Sequence, residues 1–132
     1  ITIWLMKYKL APLAVISIWV NRVVNGCVIG AGAKFEQGFV IMHPVGVVIN
    51  SKVSGGKNII IESGVVIGDE KGKAPILGNN IFIGSGAKII GDITIGDNVK
   101  IGANAVVVKS VPHNVTVVGI PAKVVNRGKQ EC

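Results

Sequence analysis

The sequence predicts an all-β solenoid, a chain wound into short parallel strands that stack coil upon coil. Three observations predict it. Apolar residues recur every six positions, at Ile29, Phe35 and Ile41 and again at Leu77, Ile83, Ile89, Ile95, Ile101 and Val107. Glycine follows at 30, 78, 84, 96 and 102, and 18 glycines among 132 residues are about twice the usual ~7%. The Asn-Gly type signals of hairpins are sparse, which argues against an antiparallel sandwich.

The six-residue unit has a mechanical reading. The residues two before the repeat positions are mostly small or aliphatic: Cys27, Ala33, Ile81, Ala87, Ile93, Val99 and Ala105. Residues i and i+2 of a strand share one face, so each unit gives a short strand with two inward side chains, then a Gly, Asn or Asp corner. One unit cannot bury its apolar face alone, whereas a stack can. Three units make a triangular turn, and turns stack at about 4.8 Å.

Along the chain, residues 1–25 read as a helical segment. The apolar run LAPLAVISIWV, Leu10 to Val20, falls short of the ~20 residues needed to span a bilayer. Lys7 and Lys9 before it imitate a signal peptide, but Asn21-Arg22-Val23-Val24 replaces the small-residue cleavage site. A buried helix is expected, with Pro12 dividing it. Trp4, Leu5, Tyr8, Leu13, Ile16 and Trp19 would cap the open end of the solenoid, where unpaired strand edges recruit other chains. Alternatively, the tryptophans with Lys7, Lys9 and Arg22 would rest on a membrane surface, a peripheral contact without a transmembrane span. The chain opens on Ile1 rather than methionine and so reads as trimmed.

Residues 26–125 form the solenoid and 126–132 a tail. Between Ile41 and Gly68 two frames compete, one through Val47, Val53, Ile59 and Val65, the other two residues later through Ile49, Gly55, Ile61 and Ile67. A two-residue slip at His43-Pro44-Val45-Gly46 would reconcile them and re-aim His43 at a bulge. The polar stretch GDEKGKAP, 68–75, breaks the repeats as a protruding loop, the kind of element that carries binding function. Its Lys71-Gly72-Lys73 is no phosphate loop, since the glycine spacing is one residue short and Ala74 stands where Ser or Thr should bind magnesium.

Composition narrows the function classes. The net charge of +7 comes from 14 basic and 7 acidic residues spread without a run of five. Six aromatics offer little for stacking bases, so no nucleic-acid partner is expected; a diffuse positive field suits a phosphorylated cofactor. Cys27 and Cys132 make no disulfide framework, which fits a reducing cytoplasm. His43, set in the apolar stretch FVIMHPVGVVIN, admits two readings: an idle histidine at a bend, or a general base.

Taken together, GAGAKFEQGFVIMHPVGVVIN, VVIGDEKGKAPILGNNIFIGSGAKIIGDITIGDNVKIGANAVVVKSVP and VVGIPAKVV resemble the serine-acetyltransferase-like branch of the hexapeptide acyltransferases over 26–125. The resemblance implies a left-handed parallel β-helix, a homotrimer, and acetyl-CoA in the groove between neighbouring helices, with no metal. It makes His43 the catalytic base that takes the proton of an acceptor hydroxyl as this attacks the thioester. Backbone N–H groups near Gly68 would stabilise the developing oxyanion. Carried over to the cofactor, Gly86, Ala87 and Ala103 would let the pantetheine arm approach the backbone, and Lys109 and Lys123 would meet CoA phosphates.

Two departures shape the acceptor reading. Members that acetylate serine carry a histidine just before the proline that ends the loop, and Ala74 stands there; they also carry an aspartate that orients the base, and the aligned position holds Cys27. Their long helical N-terminal domain has no counterpart in residues 1–25. The resemblance is thus to the short members, and a small sugar or glycan hydroxyl is the expected acceptor, with serine the alternative. What orients His43 stays open among Glu62, Asp69, Glu70 and a backbone carbonyl. The rival class is a non-catalytic β-helix serving as scaffold or binding module. Zinc hydratases of the same helix need three histidines, and the chain has two, His43 and His113.

Overall fold

A computed structural model describes residues 11–126 of the chain. Among the described residues one helix, α1 (Ala11–Asn25), leads into fifteen strands arranged on three faces. The first face stacks β1 (Val28–Ile29), β4 (Val48–Ile49), β7 (Val66–Gly68), β10 (Lys88–Ile90) and β13 (Val106–Val107). The second stacks β2 (Lys34–Phe35), β5 (Ser54–Gly55), β8 (Ile76–Leu77) and β11 (Thr94–Ile95). The third stacks β3 (Val40–Ile41), β6 (Ile59–Ile61), β9 (Ile81–Ile83), β12 (Lys100–Ile101), β14 (Thr116–Val118) and β15 (Lys123–Asn126). Every pairing but the last is parallel. This is the left-handed parallel β-helix that the resemblance implied.

Period two along each strand produces the core. Val47 and Ile49, Ile59 and Ile61, Val65 and Ile67, Ile81 and Ile83, Ala87 and Ile89 all point inward and are buried, whereas Val48, Ile60 and Phe82 between them stay outside. Aliphatic residues suit this interior because the prism is too narrow to stack rings on every coil. The exception proves the packing rule. Phe35 and Phe39 stack at 4.0 Å between centroids, and the coil above answers with Gly55, whose missing Cβ would lie 2.6 Å from the Phe35 ring.

Register explains both irregularities of the repeat. Val28 pairs with Val48, twenty residues on, and Ile41 with Ile61, so the two-residue slip falls between β3 and β4 as expected. Both competing frames point inward, as the two core positions of each strand. Val66 pairs with Lys88, twenty-two residues on, and the four extra residues form the loop between β7 and β8. Val48 to Val66 and Lys88 to Val106 keep the regular eighteen.

The ends of the solenoid differ from the sequence reading. Lys100 pairs with Thr116, only sixteen residues on, so the last coil is short. After a cis Ile120–Pro121 peptide the chain doubles back, and β15 pairs antiparallel with β14. At the other end α1 touches β1, but Leu13, Ile16 and Trp19 are 49%, 56% and 64% exposed and do not cap the first coil. Pro12 stands in the first turn of α1, where a missing N–H costs nothing; the piece it was expected to divide off lies outside the described residues. Trp4, Leu5 and Tyr8, like the tail beyond Asn126, lie outside the described residues. No described helix is long and apolar enough to cross a membrane.

Candidate active site

His43 sits where face three turns into face one, and that edge is built from backbone. The positions that make the turn, Gly26, Gly46, Gly64, Gly86 and Asn104, all have φ between 58° and 76°. Such left-handed conformations favour glycine and asparagine, and the stack is close: a Cβ on Gly46 would lie 3.3 Å from the Gly64 Cα. Gly46 N–H donates to Gly26 O at 2.8 Å and Gly64 N–H to Val45 O at 2.9 Å. Val47 N–H donates to Pro44 O at 3.1 Å, the corner turn that Ala87 N–H to Gly84 O and Ala105 N–H to Gly102 O repeat on later coils, so His43 lies in the surplus just ahead of an ordinary corner. Its side chain is 71% exposed.

Directly above, at the end of β6, stands Glu62. Its Oε2 lies 4.0 Å from His43 Nε2, and its side chain is 23% exposed. That distance is ion-pair contact, beyond hydrogen-bond range. Of the two side chains the carboxylate is the less exposed. Asp69 is engaged elsewhere, and the Glu70 carboxylate lies beside Gly91. Asp69 accepts from Asn50 Nδ2 at 3.0 Å and from Gly72 N–H at 3.1 Å, while Glu70 and Lys73 exchange backbone hydrogen bonds across the loop tip. Of the three acids, Glu62 alone meets His43 among the described residues.

A cation escaped the sequence reading. Lys88 occupies an outward column of face one otherwise filled by Val28, Val48, Val66 and Val106. Its Nζ donates to Gly64 O at 3.0 Å and Gly86 O at 2.8 Å, tying two coils of the histidine edge together. One lysine in a column of valines was the available signal.

The other expected site residues divide among three places. Ala103 is exposed on the histidine edge, together with Ser85. Gly86 lies on it too, and the fold demands that glycine: at φ 76° its Cβ would run into the Asn104 side chain. The Ala87 side chain is wholly buried in the core, so an approaching ligand would meet only its backbone. Gly68 and Lys109 belong to the next edge, between faces one and two, where Gly68 pairs with Ile90 and its carbonyl accepts from Gly91. Lys123 is exposed in β15 on face three. Within one chain, then, face one separates Gly68 and Lys109 from His43.

The departures also find their places. Cys27 is buried, its side chain in the core, and the outward neighbour is Val28; neither presents a carboxylate to His43. Ala74 is half-buried against the core and offers an acceptor no polar atom. His113 lies on the third edge, its Nδ1 accepting from Asp97 N–H at 2.7 Å.

A family model described as bacterial transferase hexapeptide (six repeats) matches residues 74–109. A serine acetyltransferase of Synechococcus elongatus is 41% identical over 128 residues, which are 94% of this chain and 52% of that protein. One of Helicobacter pylori is 43% identical over 112 residues, 82% of this chain and 66% of that protein. Among solved structures, a serine acetyltransferase of Brucella abortus superposes with a TM-score of 0.90 at 32% identity, over 96% of this chain and 53% of that one. The Neisseria gonorrhoeae enzyme gives 0.90 at 35% identity, over 98% and 52%. The Brucella abortus protein has also been solved with coenzyme A. The chain spans about half the length of the first of these relatives.

Proposed function

The chain belongs to the hexapeptide-repeat transferases, in their serine-acetyltransferase-like branch, and from that premise we propose that it moves an acetyl group from acetyl-CoA to the hydroxyl of a small acceptor. The observation that carries the proposal is His43, thrown out of the repeat by a two-residue slip and set beside Glu62. An idle histidine needs neither. The Glu62 carboxylate at Nε2 favours the tautomer protonated there, which leaves Nδ1 to take the acceptor's proton. The hydroxyl oxygen then attacks the thioester carbonyl, and the tetrahedral adduct expels the thiolate. The imidazolium returns its proton to that sulfur, so the products are the ester and free CoA. The edge above His43 carries Ser63, Ser85 and Ala103, side chains small enough for a long pantetheine arm to lie along it.

Exposure of His43 in the single chain supports a homotrimer in which a neighbour closes the site and brings its own loop edge, with Gly68 and Lys109, across from the histidine. Face three carries the apolar stripe for such a contact, Val40, Ile60 and Phe82 at 43%, 37% and 38% exposure, beside a groove of about 400 Å³ between Ile60, Phe82 and Lys100. Light scattering giving a monomer at micromolar concentration would remove this part.

Serine is the acceptor in the names of the relatives, and this favours serine over the sugar hydroxyl expected from the sequence. The sugar reading keeps one observation, the apolar Ala74 in place of the serine-binding histidine. The test is thiol release from acetyl-CoA with serine, simple sugars and nucleotide sugars, run on wild type and His43→Ala. Release that depends on serine and disappears in the variant is the expected result; dependence on a sugar instead would identify the second acceptor class. No release with any acceptor, together with no CoA binding in calorimetry, returns the chain to the scaffold reading.

A further inference from the structure

The loop between β7 and β8 ends in a turn that its own sequence does not favour. Glu70 and Lys73 pair across it, Glu70 N–H donating to Lys73 O at 2.9 Å and Lys73 N–H to Glu70 O at 3.1 Å. Between them Lys71 and Gly72 have φ of 53° and 82°, the two positive angles of a type I′ turn, which asks for Asn-Gly or Asp-Gly. Six described residues other than glycine have positive φ, and five of them are asparagine: Asn58, Asn80, Asn98, Asn104 and Asn114. Lys71 is the exception. A lysine there is strained where asparagine is not, and such strain collects at functional positions.

The surroundings brace the turn and leave the lysine alone. Asp69 accepts from Asn50 Nδ2 and from Gly72 N–H, and Lys52 Nζ donates to Gly72 O at 3.1 Å. The Glu70 carboxylate lies beside Gly91, and Lys73 pairs with Asp92 at 3.5 Å. Ala74 and Pro75, where the loop returns, carry no polar side-chain atom. Lys71 is exposed and has no partner among the described residues. A braced stalk thus ends in one ammonium without a counter-charge.

Height along the solenoid decides what that ammonium can serve. His43 lies at the corner before β4, the loop follows β7, which is the next strand of face one, and Lys109 follows β13, three strands from β4. Strands stack at about 4.8 Å, so the loop stands about 5 Å above the histidine corner and Lys109 about 15 Å. Rotation about an axis parallel to the solenoid keeps every residue at its own height. Opposite a neighbour's His43, Lys109 is therefore level with the phosphate end of a long thioester, and Lys71 with its uncharged reacting end. There the only partner for a cation is an anion on the acceptor.

We propose that Lys71 recognises an anionic group of the acceptor, a carboxylate or a phosphate, near the hydroxyl that is acetylated; this rests on the transferase reading and the threefold assembly above. Thiol release is measured with serine against serinamide, and with a nucleotide sugar against its free sugar, on wild type, Lys71→Asn and Lys71→Arg. Wild type should prefer the anionic member of one pair by about fivefold in kcat/KM, the upper range of an exposed ion pair, and that pair names the anion. Lys71→Asn should erase the preference through a raised acceptor KM while the KM of acetyl-CoA stays unchanged; Lys71→Arg should retain it. Because asparagine suits the turn, hydrogen exchange at the Glu70 and Lys73 amides should be slower in Lys71→Asn than in wild type. An acceptor KM indifferent to Lys71→Asn, no anionic preference in either pair, or a rise in the KM of acetyl-CoA instead overturns the proposal. So does faster exchange in Lys71→Asn, since the lysine would then be at ease in the turn. Wild type that releases no thiol with any acceptor removes the transferase reading itself, and this proposal with it.

Discussion

His43 and Glu62 stand one coil apart on the same edge of the β-helix, Nε2 to Oε2 at 4.0 Å. No aspartate stands at the position of Cys27, and the acid that meets His43 comes from the neighbouring coil. Exposed ion pairs are worth only about 0–1 kcal/mol. With the imidazole mostly in solvent, Glu62→Gln should lower kcat by up to about fivefold and leave the melting temperature unchanged. Removing the base itself should cost about 10²–10⁴-fold. Steady-state kinetics of Glu62→Gln and His43→Ala, read beside each other, check the ranking; equal losses would make Glu62 more than an orienting group.

Ile67 is fully buried at the centre of the five-stranded face. Ile67→Ala should cost about 2–5 kcal/mol, the range for deleting an aliphatic core side chain. Val48→Ala, one coil below on an outward position that is 40% exposed, should cost far less. Denaturant titration of the two variants measures the difference.

Along the edge between faces two and three runs a column of amides. Asn58 Nδ2 donates to Asn80 Oδ1 at 3.2 Å, Asn80 Nδ2 to Asn98 Oδ1 at 3.1 Å, and Asn98 Nδ2 to Asn114 Oδ1 at 2.9 Å. All four residues have φ between 57° and 60°. Asn80→Ala loses two hydrogen bonds and keeps a conformation that costs an ordinary residue about 1–2 kcal/mol. Asn80→Gly loses the same bonds without that strain. Thermal melts should therefore rank wild type above Asn80→Gly and Asn80→Gly above Asn80→Ala.

Asp69 holds the loop, through Asn50 Nδ2 and the Gly72 N–H. Lys52 Nζ adds a bond to Gly72 O at 3.1 Å. Asp69→Ala should loosen the tip and speed tryptic cleavage at Lys71 and Lys73, with little change in the global melt, because the loop lies outside the stack. Mass spectrometry of timed digests reads it.

The repeat made most of this fold legible. Residues Ile29, Leu77, Ile83, Ile89, Ile95 and Ile101 mark strands because an inward position repeated every six residues has one physical meaning in a stack. The slip at His43 was legible only as an option, since Val47 and Ile49 both point inward and the apolar pattern tolerates either frame; the pairing of Val28 with Val48 decides it. The C-terminal end was not legible. Val107 and Val111 are both inward but four residues apart, and apolar spacing does not reveal a coil that has lost two residues or a strand that reverses. In the candidate site, the out-of-strand position of His43 was readable from its setting. The choice of Glu62 over Asp69 and Glu70 was not, because it depends on which coil lies above which edge. Lys88 was hidden for the same reason. Trp19 and Ile16 read as cap residues because apolar composition says that a side chain wants cover, and says nothing of what covers it.

Coils of twenty, eighteen, twenty-two and eighteen residues share one unbroken interior, because every surplus residue leaves the stack at a corner. Inheritance of this architecture can therefore proceed in two currents. Interior positions are held by the neighbours above and below and tolerate little exchange, whereas a corner segment can lengthen, shorten or be replaced by graft without asking anything of the coils around it. Replacing residues 69–74 by the corresponding corner of a relative should accordingly leave the register of the coils on either side as it is.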